Sequence, residues 1–230
     1  MDENDPLTLI TEAVYARLLS ALYSERVKAA RLYSGKLKVE SGKLSDNSQL
    51  STSNAQLSTF NFQLSIEDVR QALYAAKLVS YAQGFSLLRR ASEHYGWDLD
   101  YGTIARIWRK GCIIRSVFLQ KITDAYRKEP DLENLLFDDF FHSKIQDALP
   151  AWRRIVAEGA LSGVALPAMS SSLSYFDGLR TLHSAANMIQ AQRDYFGAHT
   201  YERTDRERGH FFHTNWTGEG GNTISGTYSV

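Results

Sequence analysis

The chain has 230 residues, of which 43% are hydrophobic, so it is long and apolar enough to build a sizeable core and is not disordered as a whole. Lysine plus arginine and aspartate plus glutamate number 26 each, which gives a formal net charge of zero. This balance argues against a protein whose main partner is nucleic acid or an anionic membrane, because such partners select a basic excess.

The first helix is predicted over residues 7–33. Apolar side chains recur close to the helical period at Leu9, Val14, Leu18, Leu22 and Val27. Thr8 or Thr11 is expected to cap its start, and Gly35 is expected to stop it. The residues before it are acidic and lack an apolar region, so we expect no signal peptide.

Residues 36–65 differ in kind from the rest of the chain. The tripeptide Gln-Leu-Ser recurs at Gln49, Gln56 and Gln63, a spacing of seven. Serine, threonine and asparagine fill most other positions and compete with a helix through local hydrogen bonds. Because little apolar surface offsets the entropy of ordering, we predict a disordered, low-complexity insertion without chemistry of its own. A partner-binding segment is the alternative.

From residue 66 onward the chain is predicted to be helical. The predicted helices cover residues 66–95, 101–109, 112–128, 138–159, 167–179 and 182–196. Gly96 is expected to end the first of these, and Pro150 to end or kink the helix that contains it. Small residues line the helix of residues 66–95, with Val69 and Leu73 among its apolar positions. This pattern predicts a central core helix, and we expect it to pair with a second copy of the chain.

Residues 200–230 have no helical period. Glycines cluster here, together with the aromatic residues Phe211, Phe212, Trp216 and Tyr228. So many aromatic side chains favour an arm that docks on another surface over a solvated end. No segment of the chain keeps the alternation of a half-buried strand, so the predicted fold class is all-α.

The single cysteine indicates the redox state of the compartment in which the protein works. Cys112 stands in the apolar run Cys112-Ile113-Ile114, which predicts a buried small hydrophobic residue rather than a reactive thiol. One cysteine cannot form an internal disulfide, which fits a reducing compartment. No apolar stretch has the length of a bilayer, so we expect a soluble, cytoplasmic protein.

Several kinds of site can be excluded from the sequence. No Gly-x-Gly-x-x-Gly follows a strand, and no Walker loop is present. The glycine-rich stretch at residues 218–221 has neither a strand before it nor a helix after it. His210 and His213 are three residues apart, but nothing else near them resembles a zinc ligand set, so we predict no metal site.

Two basic features leave alternatives open. Arg17 lies among apolar positions of the first helix and is equally consistent with a surface arginine or with an anion clamp. A second cluster surrounds Trp108 and consists of Arg106, Arg109, Lys110 and Arg115. Its spacing favours a solvated helix face next to a core tryptophan.

A third feature closes the last predicted helix. Arg193 and His199 are six residues apart, at a helix end that precedes the C-terminal arm. Together they could hold a phosphate, or they could complement the negative end of the helix dipole. Spacing alone favours the dipole interpretation.

Five stretches resemble one family in order and in sequence. They are LITEAVYAR (residues 9–17), YAQGF (81–85), IWRKGCIIRS (107–116), QAQRDYFGAHTY (190–201) and HTNWTG (213–218). All five closely resemble the C-terminal domain of decarboxylating 6-phosphogluconate dehydrogenases. The likeness covers nearly the whole chain except residues 36–65.

The resemblance implies a reaction and an architecture. In that family NADP is the cofactor and accepts a hydride from C3 of 6-phosphogluconate. Loss of carbon dioxide then gives ribulose 5-phosphate in the pentose phosphate pathway. The family fold joins an N-terminal Rossmann domain to an all-helical bundle that forms a homodimer and to an extended C-terminal tail that enters the other subunit. By resemblance, Arg17 holds the substrate phosphate from one subunit, while Arg193 and His199 reach it from the other.

The resemblance also implies what this chain does not contain. The family's catalytic lysine and glutamate and its NADP-binding glycines lie upstream of the matching region, so we expect no catalytic residue here. We therefore expect a truncated or split form that is inactive alone, with a first helix (1–35), an insertion (36–65), a substrate and dimerisation domain (66–199) and a tail (200–230). The alternative is a non-catalytic dimerisation module or a decaying duplicate.

Overall fold

The computed structural model describes residues 5–33, 64–109, 112–114 and 116–216. Within these ranges the α-helices are α1 (Thr8–Ala21), α2 (Tyr23–Tyr33), α3 (Ile66–Tyr95), α4 (Tyr101–Ile107), α5 (Leu119–Lys128), α6 (Asp139–Leu161), α7 (Pro167–Leu179) and α8 (Ala186–Gly197). A 3₁₀ turn spans Leu135–Phe137. Strands β1 (Tyr201–Glu202) and β2 (Phe211–Phe212) pair antiparallel. The all-α prediction is confirmed. The predicted insertion lies almost entirely outside the described residues.

The contact pattern divides the chain into two units. The first unit is Met1–Phe176, and the second unit is Asp177–Val230, which carries α8 and the β1–β2 pair. No helix in the described ranges is long and apolar enough to cross a membrane.

The core of the first unit lies between α3 and α6. α3 starts at a capping box, in which the Ser65 side chain accepts from the Asp68 backbone and Asp68 accepts from the Ser65 backbone. It ends, as predicted, at Gly96, which adopts the left-handed conformation with φ of 66°. Trp152 on α6 and Phe85 on α3 are among the largest fully buried side chains of this core.

Three of the small residues of α3 do not lie on a free surface. Ala72, Ala75 and Ala82 are fully buried inside the first unit, so they cannot themselves line a subunit interface. By contrast, Val69 and Leu73 are apolar positions of the predicted core helix and are 48% and 59% exposed. An expectation of pairing between copies therefore rests on exposed apolar side chains rather than on the alanines.

The prediction of a single helix over residues 7–33 was wrong, because two helices, α1 and α2, span this range. Leu22 leaves the helical region with φ of −78° and ψ of 52°, and its N–H bonds to the Leu19 carbonyl, so α1 ends one residue earlier. Sequence periodicity continued across Leu22 because the break costs only a local change of backbone dihedral. The predicted caps were also wrong, since neither Thr8 nor Thr11 occupies the N-cap, which is Leu7 without a side-chain bond.

A buried glutamine of α3 replaces the missing cap. Gln83 is fully buried and accepts a hydrogen bond from the Leu9 backbone N–H at 3.2 Å. Its Nε2 donates to Thr8 Oγ1 at 3.0 Å. One of the free N–H groups at the start of α1 is thus satisfied by a tertiary contact that local sequence rules cannot foresee.

Replacing Gln83 with leucine should lower the free energy of unfolding of the first unit by about 2 kcal/mol, because it leaves a buried N–H and a hydroxyl without partners. Gln71→Leu on the same helix is the matched control. Among the described residues the Gln71 side chain bonds the exposed Glu67, at 2.9 Å, and we expect a change within about 0.5 kcal/mol. Urea unfolding measures both. Equal stability of the two variants would contradict the role of Gln83.

Pro150 does not end a helix. α6 runs from Asp139 to Leu161 with Pro150 inside it. Pro150 is exposed, so water can solvate the carbonyl that its missing N–H leaves free, while the neighbouring Ala151 and Trp152 pack in the core. Burial of that face outweighs the lost hydrogen bond.

The predicted helices around Gly111 are shorter than expected. α4 ends at Ile107 and α5 begins only at Leu119. Cys112 is half-buried rather than buried, and Ile113 next to it is fully exposed. The last predicted helix also starts later, at Ala186.

Candidate functional site

Arg17 lies on α1 in the first unit. Its side chain is exposed, and its backbone carbonyl accepts a hydrogen bond from Ser20 Oγ at 2.6 Å. Within the described part of the chain the guanidinium makes no hydrogen bond or ion pair. All five of its N–H donors are therefore available to an anion.

Arg193 and His199 lie at the same end of α8, in the second unit. Arg193 is exposed, and its Nη1 donates to Gln190 Oε1 at 3.5 Å, a weak contact. Ala198 adopts the left-handed conformation with φ of 50°, and its N–H bonds to the Asp194 carbonyl. The chain therefore reverses directly after the helix and returns His199 toward it.

Glycine at position 197 permits this close return. A Cβ added to Gly197 would lie 3.1 Å from both Cδ2 and Nε2 of the His199 ring. That separation is tighter than ordinary van der Waals contact, so a side chain here would displace the imidazole. The absence of a side chain at Gly197 thus allows His199 to lie close to the C-terminal end of α8.

Gln190 fixes the backbone of the same turn. Its Nε2 donates to the His199 carbonyl at 2.9 Å and to the Thr200 carbonyl at 3.0 Å. Both N–H groups of the amide are therefore used to hold the segment that follows α8. This role could not be predicted from the sequence, because the acceptors are backbone atoms nine and ten residues away.

Asp194 organises the segment after the hairpin. Its carboxylate is fully buried and accepts from the Thr214 backbone N–H, from Trp216 Nε1 (both at 2.9 Å) and from His213 Nδ1 at 2.8 Å. Because a carboxylate only accepts, His213 carries its hydrogen on Nδ1. Burial alone would raise the pKa of Asp194, but these hydrogen bonds outweigh it and hold the pKa below its ordinary value.

The β1–β2 hairpin connects the segment held by Gln190, residues 199–200, to the segment held by Asp194, residues 213–216. Glu202 accepts from the Gly209 backbone N–H at 2.6 Å and pairs with Arg208 at 2.8 Å. Gly209 has φ of +88°, a conformation that favours glycine at this turn. Tyr201 and Thr214 share a hydrogen bond at 2.6 Å. Residues 201–216 therefore fold back onto α8 within the second unit.

The basic cluster around Trp108 has the simpler interpretation. Arg106 is exposed, and the equally exposed Arg109 donates to Gln120. The Trp108 ring packs 5.3 Å from Phe85 and 6.5 Å from Tyr81. For the residues that the structure describes, this is a solvated face beside a core tryptophan.

The described residues do not fit a dinucleotide. Their only strands are the short antiparallel β1 and β2, and no glycine-rich turn joins a strand to a helix. Nor do the described residues bring three or more histidine, cysteine, aspartate or glutamate side chains together as metal ligands. The candidate anion ligands that they contain are Arg193 and His199 in the second unit and Arg17 in the first.

Comparisons with known proteins agree on one family. The family model for the 6-phosphogluconate dehydrogenase C-terminal domain matches residues 1–216. The Rattus norvegicus 6-phosphogluconate dehydrogenase, decarboxylating, is 51% identical over 225 residues, which is 98% of this chain and 43% of the relative. The Treponema pallidum protein of the same name is 50% identical over 230 residues, 100% of this chain and 45% of the relative.

A solved structure gives the same result. The Plasmodium falciparum 6-phosphogluconate dehydrogenase matches with a TM-score of 0.75 and 39% identity, covering 94% of this chain and 42% of that one. Its description names NADP+ as the cofactor of that protein and 6-phosphogluconate as its substrate. This chain thus spans less than half the length of the relatives that it matches.

Proposed function

Because this chain belongs to the 6-phosphogluconate dehydrogenase family, over that family's C-terminal domain, we propose that it forms the substrate-binding and dimerisation part of an NADP-dependent, decarboxylating enzyme. The enzyme converts 6-phosphogluconate to ribulose 5-phosphate. The observation that carries the proposal is the turn after α8, which holds Arg193 and His199 at one helix end.

Arg193 and His199 bind the substrate phosphate through their side chains. The C-terminal end of a helix is negative and disfavours an anion. The Ala198 N–H is already bonded to Asp194. A phosphate here therefore depends on the guanidinium fork and the imidazole, whose charge-assisted hydrogen bonds are the strong ones available.

Arg17 completes the site from the other subunit of a homodimer. Its guanidinium is exposed and has no partner among the described residues, so binding a phosphate breaks no existing ion pair. A phosphate dianion is well neutralised by two guanidinium groups and one imidazole. A dimer in which each subunit supplies part of both sites would couple substrate binding to assembly.

The chain contributes positioning rather than proton transfer. Hydride transfer to NADP and loss of carbon dioxide occur at the sugar-acid end, and none of the 230 residues corresponds to the family's lysine base or glutamate acid. Arg17, Arg193 and His199 hold the opposite, phosphate end. Binding energy at a remote group lowers the barrier by fixing the reacting carbon in place.

The 230-residue chain alone should give no NADPH from NADP and 6-phosphogluconate. Addition of a separately produced nucleotide-binding half of a relative should produce NADPH. The absorbance of NADPH measures its formation. The matched control is the same mixture with Arg193→Met, which should lose most of the activity. Turnover by the chain alone would contradict the proposed division of labour.

A non-catalytic dimerisation module is the second candidate. It is favoured by the apolar side chains that α1 exposes, including Val14 at 52% and Leu18 at 59%. Such a module would pair with a full-length relative without restoring activity to the nucleotide-binding half. The module would be favoured if the mixture with the nucleotide-binding half formed no NADPH while sedimentation showed dimers between this chain and a full-length relative.

A further inference from the structure

The Gln190 side chain connects the two candidate phosphate ligands of α8. Its Nε2 donates to the carbonyls of His199 and Thr200, at 2.9 and 3.0 Å. Its Oε1 accepts from Arg193 Nη1 at 3.5 Å. A single amide therefore reaches the backbone that carries the imidazole and the guanidinium itself.

The turn that carries His199 needs such support. Ala198 is one of two non-glycine residues with positive φ in the described chain, and a left-handed alanine is an unfavourable conformation. The carbonyls of His199 and Thr200 follow directly and lie beyond the helical hydrogen bonds of α8. The two bonds from Gln190 offset this strain and hold the turn against the helix.

We propose that Gln190 is a positioning residue for phosphate binding, which fixes the backbone that carries His199 in the geometry that the anion requires. This inference rests on the proposed function. Preorganised ligands lose less conformational freedom when the anion binds, so the affinity depends on Gln190 although the residue does not itself contact phosphate.

Two variants test this role at the half-buried position 190 of α8. Gln190→Met keeps the length of the side chain but neither donates nor accepts as an amide does. Gln190→Glu keeps an acceptor for Arg193 but cannot donate to the two carbonyls. Gln192→Met is the matched control, because Gln192 is exposed on the same helix and has no side-chain partner among the described residues.

The first measurement uses the full chain without anion. NMR of selectively labelled protein follows the His199 ring and the Arg193 Nε–H group. Gln190→Met should shift the His199 ring signal, Gln190→Glu should shift that signal and also the Arg193 signal because its carboxylate can pair with the guanidinium, and Gln192→Met should shift neither. An unchanged His199 signal in Gln190→Met would overturn the inference.

The second measurement titrates the same proteins with inorganic phosphate. Gln190→Met should raise the Kd about tenfold, or 1.4 kcal/mol, with an unchanged Kd in Gln192→Met. A purely structural role would lower the urea midpoint of Gln190→Met without changing the Kd, and that result would overturn the inference. A wild-type chain that binds no phosphate would count against the proposed function instead, and the anion-free spectra would still decide the role of Gln190.

Discussion

Replacing Trp152 with alanine should lower the free energy of unfolding of the first unit by about 4 kcal/mol. The side chain is fully buried and lies 6.1 Å from the Phe176 ring. Its Nε1 donates to the Met169 carbonyl at 3.3 Å. Truncation would therefore leave a large cavity between α6 and α7, while the Met169 carbonyl keeps its hydrogen bond from Ser172 Oγ at 2.8 Å. Urea unfolding followed by circular dichroism measures the loss.

Trp97→Ala is the control for this effect. Trp97 is 54% exposed and stacks on Tyr95 with the ring centres 4.8 Å apart. Its removal exposes little new apolar surface and should cost less than about 1 kcal/mol. Similar losses for the two tryptophan variants would show that burial of Trp152 between α6 and α7 does not stabilise the first unit.

Asp194→Ala should destabilise the second unit by about 3 kcal/mol, because three donors lose a buried, charged acceptor at once. The donors are His213, Thr214 and Trp216. Hydrogen exchange in residues 201–214 reports this unit separately from the first. Asp205→Ala is the control, since its pair with Arg203 is exposed and should contribute less than about 1 kcal/mol. Unchanged exchange in Asp194→Ala would show that the arm is held elsewhere.

The Asp194 carboxylate also gives the second unit an acid dependence of known sign. Its pKa in the folded chain lies below the ordinary value of 3.8. The stabilisation is therefore complete above that ordinary pKa and is lost as the pH falls through the lowered one. Asp194→Asn should abolish this part of the acid dependence. A wild-type unit that gains stability as the pH falls below the ordinary pKa would contradict the assignment.

Local rules predicted the elements whose ends are set locally. Gly96 ends α3 because only a residue that tolerates the left-handed conformation suits that position. Pro167 begins α7 because proline suits the first turn. Prediction from the sequence failed where tertiary contacts determine a helix end. Gln83 on α3 caps α1, and burial of the neighbouring side chains allows α6 to continue past Pro150.

The same division holds for the site. Family resemblance supplied Arg17, Arg193 and His199, whose residue types suit a phosphate. It did not supply Asp194 or Gln190, because their partners are reached only after the chain folds back. The sequence does show a carboxylate next to Arg193 and several aromatic residues in the arm. Neither pattern indicates that Asp194 accepts hydrogen bonds from the arm.

Subunit mixing tests the shared phosphate site most directly. Arg17→Met and Arg193→Met should each bind 6-phosphogluconate much more weakly than wild type, measured by calorimetry on the full chain. After the two variants are mixed and allowed to exchange subunits, half of the dimers are mixed. Each mixed dimer then has one intact site, so about a quarter of wild-type sites should return. No recovery on mixing, or unchanged binding in either variant alone, would contradict a site built from Arg17 of one subunit and Arg193 of the other.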